Sequence, residues 1–258
     1  MRFLIDVLMQ YRFVQANTVT LVLEAAQMPG QEVVHADLDL GPAQISRIAG
    51  DSDVGQRIWA RVPAGDMQLR YRAEVNVTRQ SVPLSGLRAM QLHELCAEAA
   101  PYIRPSRYCQ SDKFVAFVEK RFGHLTGGDK VSAIRDWIEA NLSYVPGSSD
   151  SDTNVLETFA GRQGVCRDYA HLFCAMVRAA QIPARAVSAY GPDVVPQDFH
   201  ALAEVWLEDG WHLVDPTGMC APDAVAVIAV GRDAYDIAFM ESQAPAGFLY
   251  QQVYVARS

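Results

Sequence analysis

A chain of 258 residues, half of them hydrophobic, can bury a substantial core and is long enough for two modest domains. Its formal net charge of −8 argues against nucleic acid or an anionic membrane as the main partner, since both repel a like charge. The five cysteines, at 96, 109, 166, 174 and 220, form no CxxC pair. Such spacing points to a reducing, cytoplasmic setting and removes the usual thiolate-rich zinc site.

Residues 1–14 are apolar but interrupted by Asp6, with no small-residue cleavage site after them, so they read as a strand and not as a signal peptide. Strand-like segments follow at 18–26, 33–40, 56–62 and 68–78, the last alternating cleanly through Leu69, Tyr71, Ala73, Val75 and Val77. Together they predict an N-terminal antiparallel β-sandwich over residues 1–100. Residues 81–107, with Pro83, Pro101 and Pro105, read as its connection to a second domain at 101–258. The period then turns helical. Ser111 or Asp112 can cap a helix holding Phe114, Val115, Phe117 and Val118, and Asp129 begins another with Val131, Ile134, Trp137, Ile138 and Leu142. The polar loop at 147–152 lacks the glycine and terminal Glu of a calcium loop, so no metal is expected there. No stretch approaches the roughly 20 apolar residues needed to cross a bilayer.

Cys166 is the most informative residue. Gly161 and Gly164 break the preceding structure, and residues 166–181 then run apolar at helical spacing, which puts the thiol at a helix N-terminus. Unpaired N–H groups and the positive end of the helix dipole favour a thiolate there and can hold a developing oxyanion. The Cys166 backbone N–H is the expected oxyanion donor, with the Gln163 amide as a second candidate. Asp168 reads either as a first-turn residue favoured by the dipole or as part of the cleft. Cys174, among Phe173, Ala175 and Met176, reads as a core cysteine. His171 lies about 140° around the helix from Cys166 and is no base for it.

The better base is His200. Read with period two, residues 200–207 form a strand with His200, Leu202, Glu204 and Trp206 on one face and Ala201, Ala203, Val205 and Leu207 on the core face. Glu208-Asp209-Gly210 supplies turn chemistry, and residues 211–215 return as an antiparallel partner ended by Pro216. Asp215 can therefore orient His200. A two-residue turn at Asp209-Gly210 would leave Asp215 opposite Glu204, about 13 Å from His200 along the strand, so a wider loop from Trp206 to Gly210 or a bulge is required. Glu204 is the alternative orienter. Trp206 and Trp211 read as core or cleft-wall aromatics. Strands are also expected at 224–230 and 248–255, closing the sheet. No glycine-rich phosphate loop follows a strand, and the remaining histidines lack clustered partners, so no cofactor is expected.

The segments Gly164-Val165-Cys166-Arg167-Asp168-Tyr169-Ala170-His171-Leu172 and Arg178-Ala179-Ala180-Gln181-Ile182-Pro183-Ala184-Arg185, then His200, then residues 211–217, occur in this order. Over roughly residues 105–220 the chain resembles bacterial members of the transglutaminase-like superfamily. The resemblance implies an α+β, papain-like fold, with a helix-borne Cys packed on an antiparallel sheet and an N-terminal β domain. It implies a Cys-His-Asp triad at Cys166, His200 and Asp215 that acts on amide carbonyls of a peptide or protein through a thioester. Many relatives carry an aromatic two places after the His, where this chain has Leu202. The expected outcome is hydrolysis, as in a cysteine peptidase or amidase. Protein-glutamine transglutamination, or a non-catalytic peptide-binding module on the same scaffold, are the alternatives.

Overall fold

The computed structural model describes residues 1–208 and 210–258. Six strands come first: β1 (Arg2–Phe13), β2 (Asn17–Leu21), β3 (Gln31–Asp39), β4 (Gln44–Ala49), β5 (Gln56–Val62) and β6 (Gly65–Val77). A linker with only short 3-10 turns leads to α1 (Val115–Phe122), α2 (Gly127–Asn141), β7 (Ser143–Tyr144), α3 (Val155–Gly161), β8 (Gln163–Gly164) and α4 (Cys166–Ala179). The chain continues through β9 (Ala184–Tyr190), β10 (His200–Leu207), β11 (Gly210–Val214), β12 (Ala226–Gly231), α5 (Ala234–Ile237), β13 (Met240–Ser242) and β14 (Ala246–Arg257).

The period-two pattern explains the N-terminal half. On β1, Phe3, Ile5, Val7, Met9, Tyr11 and Phe13 are buried, and on β6 the odd-numbered positions from Met67 to Val77 face the same core. Burial of each such side chain contributes about 1.5–3 kcal/mol. Their sheet runs β14-β1-β6-β3 and packs on a second sheet, β13-β2-β5-β4, through Val19, Leu21, Ile58 and Ala60. β4 is not foreseen by the sequence reading because all six of its residues are exposed, leaving no apolar alternation to detect.

The sandwich is not confined to residues 1–100. The strand expected at 248–255 lies within β14, and it does not close the second domain's sheet. It returns to pair with β1, Phe3 opposite Arg257 and Val7 opposite Val253, while β13 pairs with β2. Period two marks a strand but not its partner, because Val253 and Val255 offer the same apolar face to either sheet.

The second half is a central antiparallel sheet, β11-β10-β9-β12, with α4 packed across β9 and β10. Leu172, Phe173 and Met176 of α4 meet Ala203, Val205 and Leu207 of β10 on one side and Val131, Ile134 and Ile138 of α2 on the other. β9 is buried at every position. Ala184 faces the helices, Ala186 and Tyr190 reach into the sandwich core, and Val187 and Ala189 meet a third cluster. A strand covered on both faces has no alternation, so β9 also escapes the periodicity argument. Buried Gln31 ties the halves together: its amide donates to the carbonyls of Ala26 and Val227 at 2.7 and 2.8 Å and accepts from the Val227 N–H at 2.7 Å. The Tyr190 hydroxyl adds a 2.6 Å bond to the Leu23 carbonyl.

No helix among the described residues is long and apolar enough to cross a membrane.

Candidate active site

α4 begins at Cys166 because Val165 is still extended, at φ −110° and ψ −179°. Asp168, at the third helical position, accepts the Val165 N–H at 2.9 Å, satisfying a donor just outside the first turn. It is fully buried and also accepts the Ser149 hydroxyl at 2.5 Å. Arg167 donates to the Asp150 carbonyl at 2.6 Å, so the 147–152 loop is fastened to the head of the helix. Gly164 makes room for this cap: a Cβ there would stand 2.7 Å from Asp168 Cβ. Asp168 thus fixes where α4 starts, and with it the position of the thiol.

Cys166 is half-buried, and its Sγ lies 4.0 Å from the Phe199 carbonyl, next in sequence to His200. His200 and Asp215 are both buried and share a hydrogen bond, Nε2 to Oδ2, of 2.8 Å. The register explains how they meet. β10 and β11 pair Leu207 with Gly210, Trp206 with Trp211 and Ala203 with Val214, without interruption. The pairing is thus offset by two residues from that of a two-residue turn at Asp209-Gly210, and neither the wider loop from Trp206 nor the bulge is present among the described residues. Asp209 itself lies outside them. The register carries Asp215 past the Ala203–Val214 pair, into reach of His200. There its Oδ1 accepts the Thr217 N–H and hydroxyl at 2.9 and 2.7 Å, and its Oδ2 accepts the Cys220 N–H at 2.9 Å. Those bonds hold the carboxylate still while it faces the imidazole.

Burial opposes charging of His200, but interaction with Asp215 and Cys166 outweighs it and raises the imidazole to about 10. Burial likewise opposes ionisation of Asp215, yet His200 and Thr217 hold it below the usual carboxylate range. His200 Nδ1 is buried without a hydrogen-bond partner among the described residues, and Cys166 is among the groups that raise the imidazole. Burial raises Cys174 to about 11 and Cys220 to about 12, whereas Cys96 is exposed.

Tyr144 completes the surroundings and is absent from the sequence reading. β7 pairs parallel with β8, setting Tyr144 level with Gly164, and the Val145 N–H donates to the Gly164 carbonyl at 3.0 Å. Burial, and then the neighbouring Cys166, push the Tyr144 phenol well above its ordinary pKa. A two-residue parallel bridge carries no period, so only the aromatic in Ser143-Tyr144-Val145, just ahead of a polar loop, hints at it.

Other candidates lie elsewhere. Gln163 is exposed on β8 and does not line the cleft beside Cys166. Glu204 does not touch His200. It pairs with Arg185 at 2.7 Å, both side chains buried, on directly opposed positions of β10 and β9. Trp206 packs with Met90 and Ala99 of the linker and with Trp211, away from the cleft. The physical reason is common to both: beyond His200, this face of β10 is covered by the linker and the third core cluster. Leu202 is buried in that cluster. Among the described residues one trio, His200, Asp215 and Cys220, could close on a metal ion, its ligand atoms lying within 4.8 Å of one another, but His200 and Asp215 are already bonded together.

His171 is buried, stacks on Tyr108 at 5.2 Å and accepts the Ala234 N–H on Nε2 at 2.9 Å, far from any role as a base. Burial lowers it from 6.5 to about 4. The unfolded chain takes up this proton near pH 6.5 and the folded chain resists until about 4, so its contribution is present above 6.5 and lost as pH falls. About 3 kcal/mol of stability is expected to disappear across that window. Thermal unfolding of the wild type and His171→Gln from pH 7.5 to 4 checks this, the variant showing the shallower slope.

A cysteine heading a helix, beside an antiparallel sheet carrying His and Asp, is the layout of the transglutaminase-like fold. Residues 117–216 match the family model described as the transglutaminase-like superfamily. A crystal structure from Cytophaga hutchinsonii, titled as that of a "putative cysteine protease", superposes with a TM-score of 0.91 at 31% identity, over 99% of this chain and 90% of that one. The chain belongs to the transglutaminase-like superfamily. Among curated relatives, the uncharacterized protein ML0607 of Mycobacterium leprae is 31% identical over 146 residues, 53% of this chain and 52% of that protein. The protein-glutamine gamma-glutamyltransferase of Pseudomonas aeruginosa is 40% identical over 78 residues, 26% of this chain and 12% of that protein. The chain thus spans about half the length of the first and a small part of the second.

Proposed function

We propose that the chain is a cysteine-nucleophile enzyme that cleaves amide bonds of peptides or proteins through a thioester. The observation that carries this reading is the 2.8 Å bond by which Asp215 fixes His200 with Nδ1 left free beside Cys166. A protonated imidazole at neutral pH stabilises a thiolate next to it. Cys166 Sγ attacks the carbonyl carbon, and the charge developing on oxygen is met by the Cys166 N–H, with the Tyr144 hydroxyl as second donor. His200 returns a proton to the leaving amine as the C–N bond breaks. Water then attacks the thioester, His200 taking its proton, and the acid leaves as the thiol is restored.

Hydrolysis is favoured over amine transfer because the cleft is bordered at Ser151 by the polar 147–152 loop, and because Leu202, where many relatives have an aromatic, is buried away from it. Transfer is the second reading, supported by the 78-residue likeness to the Pseudomonas aeruginosa transferase. A binding module is less well supported, since it has no use for a buried His-Asp pair beside a thiol. The free state of all five cysteines supports a reducing, cytoplasmic setting.

Incubation with a glutamine-containing peptide and excess alkylamine, followed by mass spectrometry of enzyme and product, tests the reading. A thioester on Cys166 and mostly free acid or cleaved peptide are expected. Amine adduct in excess at millimolar amine makes the protein a transferase. Absence of any Cys166 adduct, with no faster alkylation of Cys166 than of exposed Cys96, leaves the binding module.

A further inference from the structure

The cleft beside Cys166 and His200 has a volume of about 410 Å³, and its far wall comes from the segment that links the central sheet back to the sandwich. That wall is apolar: Tyr235, Ile237, Phe239 and Met240 line it, and Phe199 continues it to the His200 backbone. Phe239 stacks face to face on Phe199, with ring centroids 4.7 Å apart and planes at 5°, which fixes the wall's inner surface. Tyr235 is 52% exposed at the cleft mouth, with the Arg107 guanidinium 5.1 Å from its ring centroid. Water-facing aromatic surface that runs continuously into a reactive centre is surface held for a ligand. Arg167 and Ser151 line the facing side of the cleft, and two further polar groups, Ser188 and Glu241, belong to it as well. Ser188, only 5% exposed, lines the cleft with a hydroxyl that makes no hydrogen bond among the described residues. Glu241 lines it too, in no ion pair among them.

From this we infer that the cleft selects amides flanked by an aromatic or large aliphatic side chain, which packs on Phe239, Met240 and Tyr235, while Ser188 bonds the substrate's backbone and Glu241 repels acidic neighbours. The inference rests on the proposed thiol chemistry of the same cleft, and names the substrate class for it.

The test uses the whole chain and the blocked peptides acetyl-Ala-X-Ala-amide, with X as Phe, Leu, Gln, Lys or Asp. Binding is read by NMR titration on Cys166→Ala, which cannot form a covalent adduct, and by protection of wild-type Cys166 from iodoacetamide. Phe and Leu peptides are expected to bind at least tenfold more tightly than Asp and Gln peptides. Tyr235→Ser should lower the preference at least threefold with an unchanged melting temperature, and Met240→Ser, whose side chain also packs against the sandwich core, at least threefold with a lowered one. A preference of threefold or less, or tightest binding of the Gln peptide, overturns the inference. Selective binding to Cys166→Ala with no thioester on the wild type would sink the proposed chemistry and leave the cleft's selectivity standing.

Discussion

His200→Ala is expected to lower kcat/KM for a cleaved peptide by about 10⁴- to 10⁶-fold, because the proposed base is lost, and to lower the melting temperature by several degrees, because Asp215 stays buried with only its Thr217 and Cys220 donors. Asp215→Asn keeps the shape and loses the charge. It should cost about 10³- to 10⁴-fold by releasing the imidazole from its orientation. Tyr144→Phe removes the hydroxyl proposed as second oxyanion donor and should cost about 10²- to 10³-fold, mostly in kcat. Steady-state kinetics on folded variants, checked by circular dichroism, decide each. Undiminished turnover in His200→Ala would remove it from the reaction altogether.

Glu204→Ala is expected to show the opposite profile. Its carboxylate meets the Arg185 guanidinium at 2.7 Å, and both side chains are at most 5% exposed. Truncation leaves a buried cation whose remaining support is the Trp211 ring and the Glu98 carboxylate, each at 4.0 Å, and the Tyr102 ring at 5.7 Å. Breaking such a pair costs about 3–5 kcal/mol, which for a domain of this size lowers the melting temperature by roughly 10 °C. Specific activity of the folded fraction, measured well below that temperature, should stay within a few-fold of wild type. A large loss of activity at unchanged stability would make Glu204 the orienter of His200.

What sequence reading reaches here follows from where period and local chemistry operate. α4 is legible because its apolar positions repeat at helical spacing after two glycines, and β1 and β6 because one face is buried and the other wet. The proximity of Cys166, His200 and Asp215 is anticipated from their order and element types, but the register that brings Asp215 to His200 is not, since two residues of offset change no hydrophobic pattern. β9, covered on both faces, and β4, wet along its whole length, carry no alternation. Glu204 pairs with Arg185 and not with His200, and Trp206 takes the core and not the cleft-wall alternative, because a linker remote in sequence covers their face of β10. Helix onset is blurred too: the segment capped at Ser111 begins as a 3-10 turn, and α1 starts only at Val115.

The return of β14 to β1 has a consequence for how the molecule comes into being. β1 pairs with a strand far along the chain, Phe3 meeting Arg257 and Phe13 meeting Ala246. Until β14 has been made, β1 has β6 on one side and an open edge on the other. Contacts of such long sequence separation make folding slow, and an unpaired apolar-faced strand is what chaperones and neighbouring nascent chains encounter in the interval. The outer face of β1 is suited to that wait: Arg2, Asp6, Gln10 and Arg12 interrupt it with charge and polarity, discouraging a wrong partner until the right one arrives.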